Sequence, residues 1–204
     1  MSKPKVWVTR FIPNEGLQEL AECSEMEISK RPPTKEEIMA KLPLIDAMLC
    51  VGTPLGEKEL AVAKKLRIIS NYGVGYNHID IDAATRCGIM VTNLPYDVTE
   101  ATADLTFGLL LASARRIAEA DRALRSKEPL DWGPMLLNGH DVYGKTLGII
   151  GLGRIGRAVA RRAQGFNMKI LYYDICRQYE AENAMGVEFL PKDELLQEAD
   201  FVSP

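Results

Sequence analysis

Lys145-Thr-Leu-Gly-Ile-Ile-Gly-Leu-Gly-Arg-Ile-Gly156 decides the fold. Leu147, Ile149 and Ile150 predict a short buried strand, and Arg157-Ala-Val-Ala-Arg-Arg-Ala163 predicts the helix that follows it. Between them stands Gly151-x-Gly153-x-x-Gly156, a pattern that carries meaning only when strand and helix flank it as they do here. Gly151 permits a tight turn, Gly153 lets a pyrophosphate approach the backbone, and Gly156 lets helix and strand pack closely. The helix N-terminus offers free N–H groups and the positive end of its dipole to phosphates. A second strand, Lys169-Ile-Leu-Tyr-Tyr173, ends at Asp174, about 20 residues past the glycines, where an acid accepts ribose hydroxyls. The plain alternative, a glycine-rich turn that binds nothing, leaves Asp174 unexplained. The segment reads as a dinucleotide site.

Working outward, strand and helix alternate through the whole chain, which predicts parallel sheets with right-handed crossovers. Lys5–Thr9, Met26–Ser29, Ala47–Val51, Arg67–Ser70 and Met90–Thr92 are expected strands, with helices over Pro13–Glu22, from the Thr34–Glu37 capping box to Leu42, and over Glu57–Lys65 and Asp82–Arg86. These complete a first α/β domain, residues 1–97. Asp97-Val-Thr-Glu100 has N-cap and N3 residues for a helix expected to run from Val98 to Lys127, with Leu105, Leu109 and Ala112 on one face. Gly108 in its middle costs about 1 kcal/mol relative to Ala, which suggests a close backbone neighbour there. Residues 127–143, with Pro129, Gly133, Pro134 and Gly139, read as an arm. The second domain spans 98–204, with strands near 147–150, 170–173, 187–190 and 200–203 as the first four of a 3-2-1-4-5-6 sheet. The fourth is then an open apolar edge.

Composition narrows the class. The 204 residues are 47% hydrophobic and 26% charged with a net charge of −3, and no basic run points to nucleic acid or an anionic membrane. No apolar run is long enough to span a bilayer, and the start lacks a secretory core, so a cytoplasmic protein is expected. Cys23, Cys50, Cys87 and Cys176 form no C-x-x-C pair and read as reduced thiols. Glu36-Glu37 and Asp80/Asp82 lack metal-ligand spacing with His or Cys, so no metal is expected.

Four motifs occur together: Asn71-Tyr-Gly-Val-Gly-Tyr-Asn-His-Ile-Asp80, Val91-Thr-Asn-Leu-Pro95, Ala101-Thr-Ala-Asp104 through Ala114-Arg-Arg116, and Gly144 through Gly156. In order and spacing they resemble the D-isomer-specific 2-hydroxyacid dehydrogenases, and within that family the glyoxylate/hydroxypyruvate reductases. The resemblance covers nearly the whole chain. It implies two Rossmann-like doubly wound α/β domains with a cleft between them: a flavodoxin-like substrate domain and an NAD-binding domain incomplete in this chain. Val74 and Gly75 would offer N–H groups to the carboxylate of a small 2-keto acid. Thr102 would lie near the nicotinamide. Leu152, Gly153, Arg154 and Ile155 would cradle the pyrophosphate, and Asp174 would hold the ribose, favouring NAD over NADP.

The family's catalytic Arg, Glu and His fall beyond Pro204, so the chain is expected to be a truncated piece without catalytic residues of its own. The histidines present, His78 and His140, read more simply as loop residues than as acids. Arg115-Arg116 read as a solvated face. Trp132 is either a packing residue or a contributor to a neighbouring subunit's pocket, and a homodimer is expected. Alternatives on the same scaffold are a non-catalytic NAD(H)-sensing corepressor-like protein and an enzyme acting on phosphite or formate.

Overall fold

A computed structural model describes residues 2–95, 98–126 and 133–204. The chain divides into two compact units, Met1–Asp97 and Val98–Pro204.

The N-terminal unit is built on strands β1 (Lys5–Val8), β2 (Glu25–Ile28), β3 (Ala47–Cys50), β4 (Ile68–Asn71) and β5 (Met90–Thr92). They form one parallel sheet in the order β2-β1-β3-β4-β5, the flavodoxin-like arrangement. Helices α1 (Gln18–Cys23), α2 (Lys35–Lys41), α3 (Glu57–Val62) and α4 (Ile81–Arg86) make the crossovers. Instead of one helix from Pro13, the chain makes a 3-10 turn at Asn14–Gly16 before α1. The capping box is present: the Thr34 hydroxyl accepts the Glu37 N–H, and the Glu37 carboxylate accepts the Thr34 N–H. Trp7 is buried in β1, an interior strand, and its indole N–H donates to Ser29 Oγ (2.9 Å), which satisfies the polar atom of the side chain that its burial would strand.

In the C-terminal unit, β6 (Thr146–Ile150), β7 (Lys169–Tyr173), β8 (Glu188–Phe189) and β9 (Phe201–Ser203) form a parallel sheet in the order β8-β7-β6-β9. This is the expected 3-2-1-4 beginning, and among the described residues β9 is an edge. Two further helices, α5 (Thr99–Ala114) and α6 (Ile117–Arg125), precede the sheet, and α7 (Arg154–Gln164), α8 (Tyr179–Met185) and α9 (Lys192–Glu198) connect its strands. Gly148 in β6 lets α9 close down, because a Cβ there would lie 2.5 Å from Leu195 Cδ2.

The long helix expected from Val98 does not form as one piece. It is divided into α5 and α6, with Arg116 between them in the left-handed conformation (φ 55°, ψ 33°). The cause is the returning arm. His140 N–H donates to the Ala114 carbonyl (2.8 Å), and Arg116 reaches both the Glu119 carboxylate and the Asn138 carbonyl. These contacts offset the cost, about 1–2 kcal/mol, of a non-glycine residue with positive φ. The expected cap also differs: the helix begins at Thr99 with no side-chain cap, and Asp97 lies outside the described residues. Glu100 is used instead to pair with Arg161 and Arg162 of α7, alongside an Asp104–Arg162 pair. Phe107 meets Phe166, just past the end of α7, at 5.0 Å between ring centres, so charge pairs and ring packing together join α5 to the C-terminal end of α7.

Gly108 has no neighbour within 4 Å of where a Cβ would sit, so the close approach expected there is absent. It occurs at Gly139, where a Cβ would lie 2.3 Å from the Ala114 carbonyl oxygen and 2.9 Å from Arg115 Cα. No helix among the described residues is long and apolar enough to cross a membrane. Opposite outcomes are therefore expected for two glycine-to-alanine changes in one unit, read by thermal or urea unfolding. Gly108→Ala should stabilise by up to about 1 kcal/mol, and Gly139→Ala should destabilise by about 1–3 kcal/mol. Equal effects would contradict the placement of the arm.

Candidate dinucleotide-binding site

The end of β6 and the start of α7 are joined by a turn that only glycines can make. Gly151 has φ 97°, and its N–H donates to the Tyr173 carbonyl (2.7 Å). A Cβ on Gly156 would lie 2.2 Å from the Gly151 carbonyl oxygen, inside any tolerable contact. Gly153 is the extended N-cap of α7, and space is open where its side chain would be. Its carbonyl accepts the first helical bond from Arg157 N–H (2.9 Å). The N–H groups of Arg154, Ile155 and Gly156 are therefore the first of the helix, at the positive end of its dipole.

Leu152 plays a different part from its neighbours. Its side chain is buried in the core of the unit, and its N–H donates to Asp174 Oδ2 (2.8 Å). The half-buried Asp174 thus holds the glycine turn with one oxygen and keeps its other oxygen for a further donor. An anion cradle at a helix N-terminus beside such an acid fits a diphosphate joined to a ribose. The residues present suit a dinucleotide.

A polar chain that pattern reading missed runs from this turn to α8. Arg157 donates to the Leu152 carbonyl (3.2 Å) and to Gln178 Oε1 (2.7 Å). Gln178 N–H donates to the Tyr172 hydroxyl (2.7 Å), which donates to Glu182 Oε1 (2.7 Å). Arg177 completes it with two parallel bonds to Glu182, at 2.8 and 2.9 Å. Burial holds the Tyr172 phenol above its ordinary pKa, so it remains a donor. The Arg177 bonds, then the Tyr172 hydroxyl, bring the Glu182 carboxyl down to about 2. Arg157 falls four residues after Gly153, one helical turn on, which is the one sequence signal that could have found this chain.

In the N-terminal unit the loop after β4 is shaped by two asparagine amides. Buried Asn71 donates to the carbonyls of Gly73 (3.1 Å) and Gly75 (3.0 Å), and Asn93 donates to that of Val74 (2.8 Å). Three successive carbonyls are drawn inward, and among the described residues no acceptor takes the N–H of Val74 or Gly75. Consecutive N–H groups of this kind are available to an acceptor outside the loop. His78 is a support for the loop: Nε2 is 3.1 Å from Asn71 Oδ1 and 3.7 Å from the buried Cys50 sulfur. Burial also raises the Cys50 thiol pKa. Thr102 lies half-buried in the first turns of α5. His140 sits in the arm, Arg115 meets Asp141 (3.4 Å), and Trp132 lies outside the described residues. Among the described residues no group of three His, Cys, Asp or Glu side chains is arranged to hold a metal ion.

Residues 107–204 match the family described as "D-isomer specific 2-hydroxyacid dehydrogenase, NAD binding domain". The glyoxylate reductase of Korarchaeum cryptofilum is 50% identical over 205 residues, covering 98% of this chain and 62% of the relative. Residues 107–204 are thus similar to the NAD binding domain of the D-isomer specific 2-hydroxyacid dehydrogenases, and most of the chain is similar to a glyoxylate reductase. A crystal structure of a Thermus thermophilus protein superposes with a TM-score of 0.86 at 38% identity, over 97% of this chain and 63% of that one. The D-lactate dehydrogenase of Aquifex aeolicus, crystallised with NAD and lactic acid, gives 0.78 at 28% identity, over 97% and 59%. The chain thus spans about three-fifths of the length of the relatives it matches, and the match to the NAD binding domain falls within its C-terminal unit.

The Arg177–Glu182 pair has a pH signature. The folded-state carboxyl titrates near 2, below its reference of 4.5, so its contribution is complete above pH 4.5 and is lost as pH falls through 2. The stability difference between the native protein and Glu182→Gln, measured by urea unfolding, should be constant above about pH 5 and shrink progressively below it. A difference that stays flat down to the acid limit of folding would show that the pair is not maintained in solution.

Proposed function

We propose that this chain binds NAD(H) and serves an oxidoreductase that reduces a small 2-keto acid, glyoxylate or hydroxypyruvate, to the D-2-hydroxy acid. The observation that carries the reading is the glycine turn tied to Asp174 by the Leu152 N–H, with a second carboxylate oxygen left over. In this reading Gly151 and Gly156 set the turn, Gly153, Arg154 and Ile155 receive the pyrophosphate, Leu152 anchors the loop, and Asp174 takes a ribose hydroxyl. A carboxylate there repels a 2′-phosphate, which favours NAD over NADP. Thr102 belongs beside the nicotinamide. The N-terminal unit, residues 1–97, is the substrate domain, and its Val74 and Gly75 N–H groups receive the keto acid's carboxylate.

When bound, the reduced cofactor supplies a hydride to the carbonyl carbon, and the new alkoxide takes up one proton. That proton needs an acid, and a cation must hold the carbonyl and carboxylate in line. Among the described residues neither histidine is hydrogen-bonded to a carboxylate, and His78 is occupied by Asn71. We therefore place the Arg, Glu and His of the reaction outside these 204 residues, with no catalytic residue in this chain. A cytoplasmic homodimer accompanies this reading, supported by the exposed Leu105 and Leu109 on α5.

Two measurements test it. NADH binding to the purified protein should be weakened about tenfold or more by Asp174→Ala, the loss of charge-assisted hydrogen bonds; unchanged affinity would remove Asp174 from the site. The complete gene product should oxidise NADH with glyoxylate or hydroxypyruvate. Robust turnover by the 204-residue chain alone would overturn the placement of the catalytic groups.

A further inference from the structure

The connection between β7 and α8 contains a cation held along one edge by a carboxylate. Arg177 follows Asp174 by three residues, so its long side chain has the reach to lie beside the Asp174 carboxylate and any ribose there. It is instead turned onto α8. Its guanidinium makes the fork of two bonds to Glu182 and lies 4.9 Å from the centre of the Tyr179 ring and 5.4 Å from that of Phe189. Glu182 is fixed in turn by the Tyr172 hydroxyl, whose ring is fully buried in the core. The pair is a planar, two-point match between guanidinium and carboxylate, much harder to break than a single surface contact.

An arginine in this connection is the residue type that accepts the 2′-phosphate of NADP in dinucleotide folds. We propose that Glu182 is a specificity-determining residue that acts through Arg177: by holding the guanidinium on α8, it keeps a 2′-phosphate site from forming beside Asp174. The inference rests on the NAD(H) reading above. It adds that the preference is set twice, by the repulsion of Asp174 and by the removal of a cation placed to overcome it. Glu182 touches no cofactor and is a positioning residue.

The test is the ratio of two affinities, from fluorescence titration of NADH and NADPH against the purified protein, Glu182→Gln, and Glu182→Gln with Arg177→Gln. Gln keeps the shape and still accepts from Tyr172, but without the charge and the second acceptor oxygen it holds the arginine far more weakly. Glu182→Gln should bind NADPH about tenfold more tightly with NADH changed by no more than about twofold. The double variant should lose that gain. Three outcomes would overturn the proposal: an unchanged NADPH affinity, equal weakening of both nucleotides, or a gain that survives removal of Arg177, which would reduce the effect to deletion of a negative charge. If the unaltered protein binds no NADH, the underlying reading fails, and this one with it. Should Glu182→Gln not fold, Glu182→Asp withdraws the carboxylate by one methylene, and the NADPH-to-NADH ratio should move the same way by a smaller factor; no movement would again overturn the proposal.

Discussion

The Gly151 carbonyl oxygen occupies the space where a side chain at position 156 would have to be. Everything in the candidate site depends on that contact between two backbones. It brings the first turn of α7 against the end of β6, aligns the helix-starting N–H groups of Arg154 and Ile155 with the opening above Gly153, and leaves Gly151 no choice but positive φ. The turn is then fastened to the neighbouring strand by two bonds, Gly151 N–H to the Tyr173 carbonyl and Leu152 N–H to Asp174. In the proposed reading, an anion is received by backbone amides whose direction is set before a ligand arrives, so little ordering cost falls on binding.

The two units arrive at that end by different means. In the C-terminal unit steric necessity and a helix N-terminus aim the amides. In the N-terminal unit the Val74–Gly75 loop has no helix behind it, and the side chains of Asn71 and Asn93 shape it by capturing three successive carbonyls. The cost of burying Asn71 is met by satisfying both ends of its amide, with His78 on the oxygen. This explains why a histidine beside a glycine loop carries a structural task.

Local pattern was enough wherever one strand or helix determined the outcome. The β6–α7 segment, the Thr34 capping box and the 3-2-1-4 order all follow from periodicity, glycine spacing and alternation. What could not be read were contacts made across long stretches of chain. The break at Arg116 depends on an arm residue, His140, capping the Ala114 carbonyl, and nothing between Thr99 and Arg125 announces it. A helical glycine is costly, which draws attention to Gly108, yet the close backbone approach occurs at Gly139, where the arm crosses. In the same way Arg177 stands near Asp174 in sequence, but its direction is decided by Glu182 and two rings on other elements. Spacing places a residue; its partners decide what it does.

The central claim is that NADH lies on the Gly151–Gly156 turn with its ribose on Asp174. Backbone amide resonances of the protein, followed during titration with NADH, test it most directly. The account predicts that the largest shifts fall on Gly153, Arg154, Ile155 and Gly156 and on the residues around Asp174, with β8 and α9 little affected. Saturating NADH that leaves the turn unperturbed, or perturbs a different face of the unit, would contradict it.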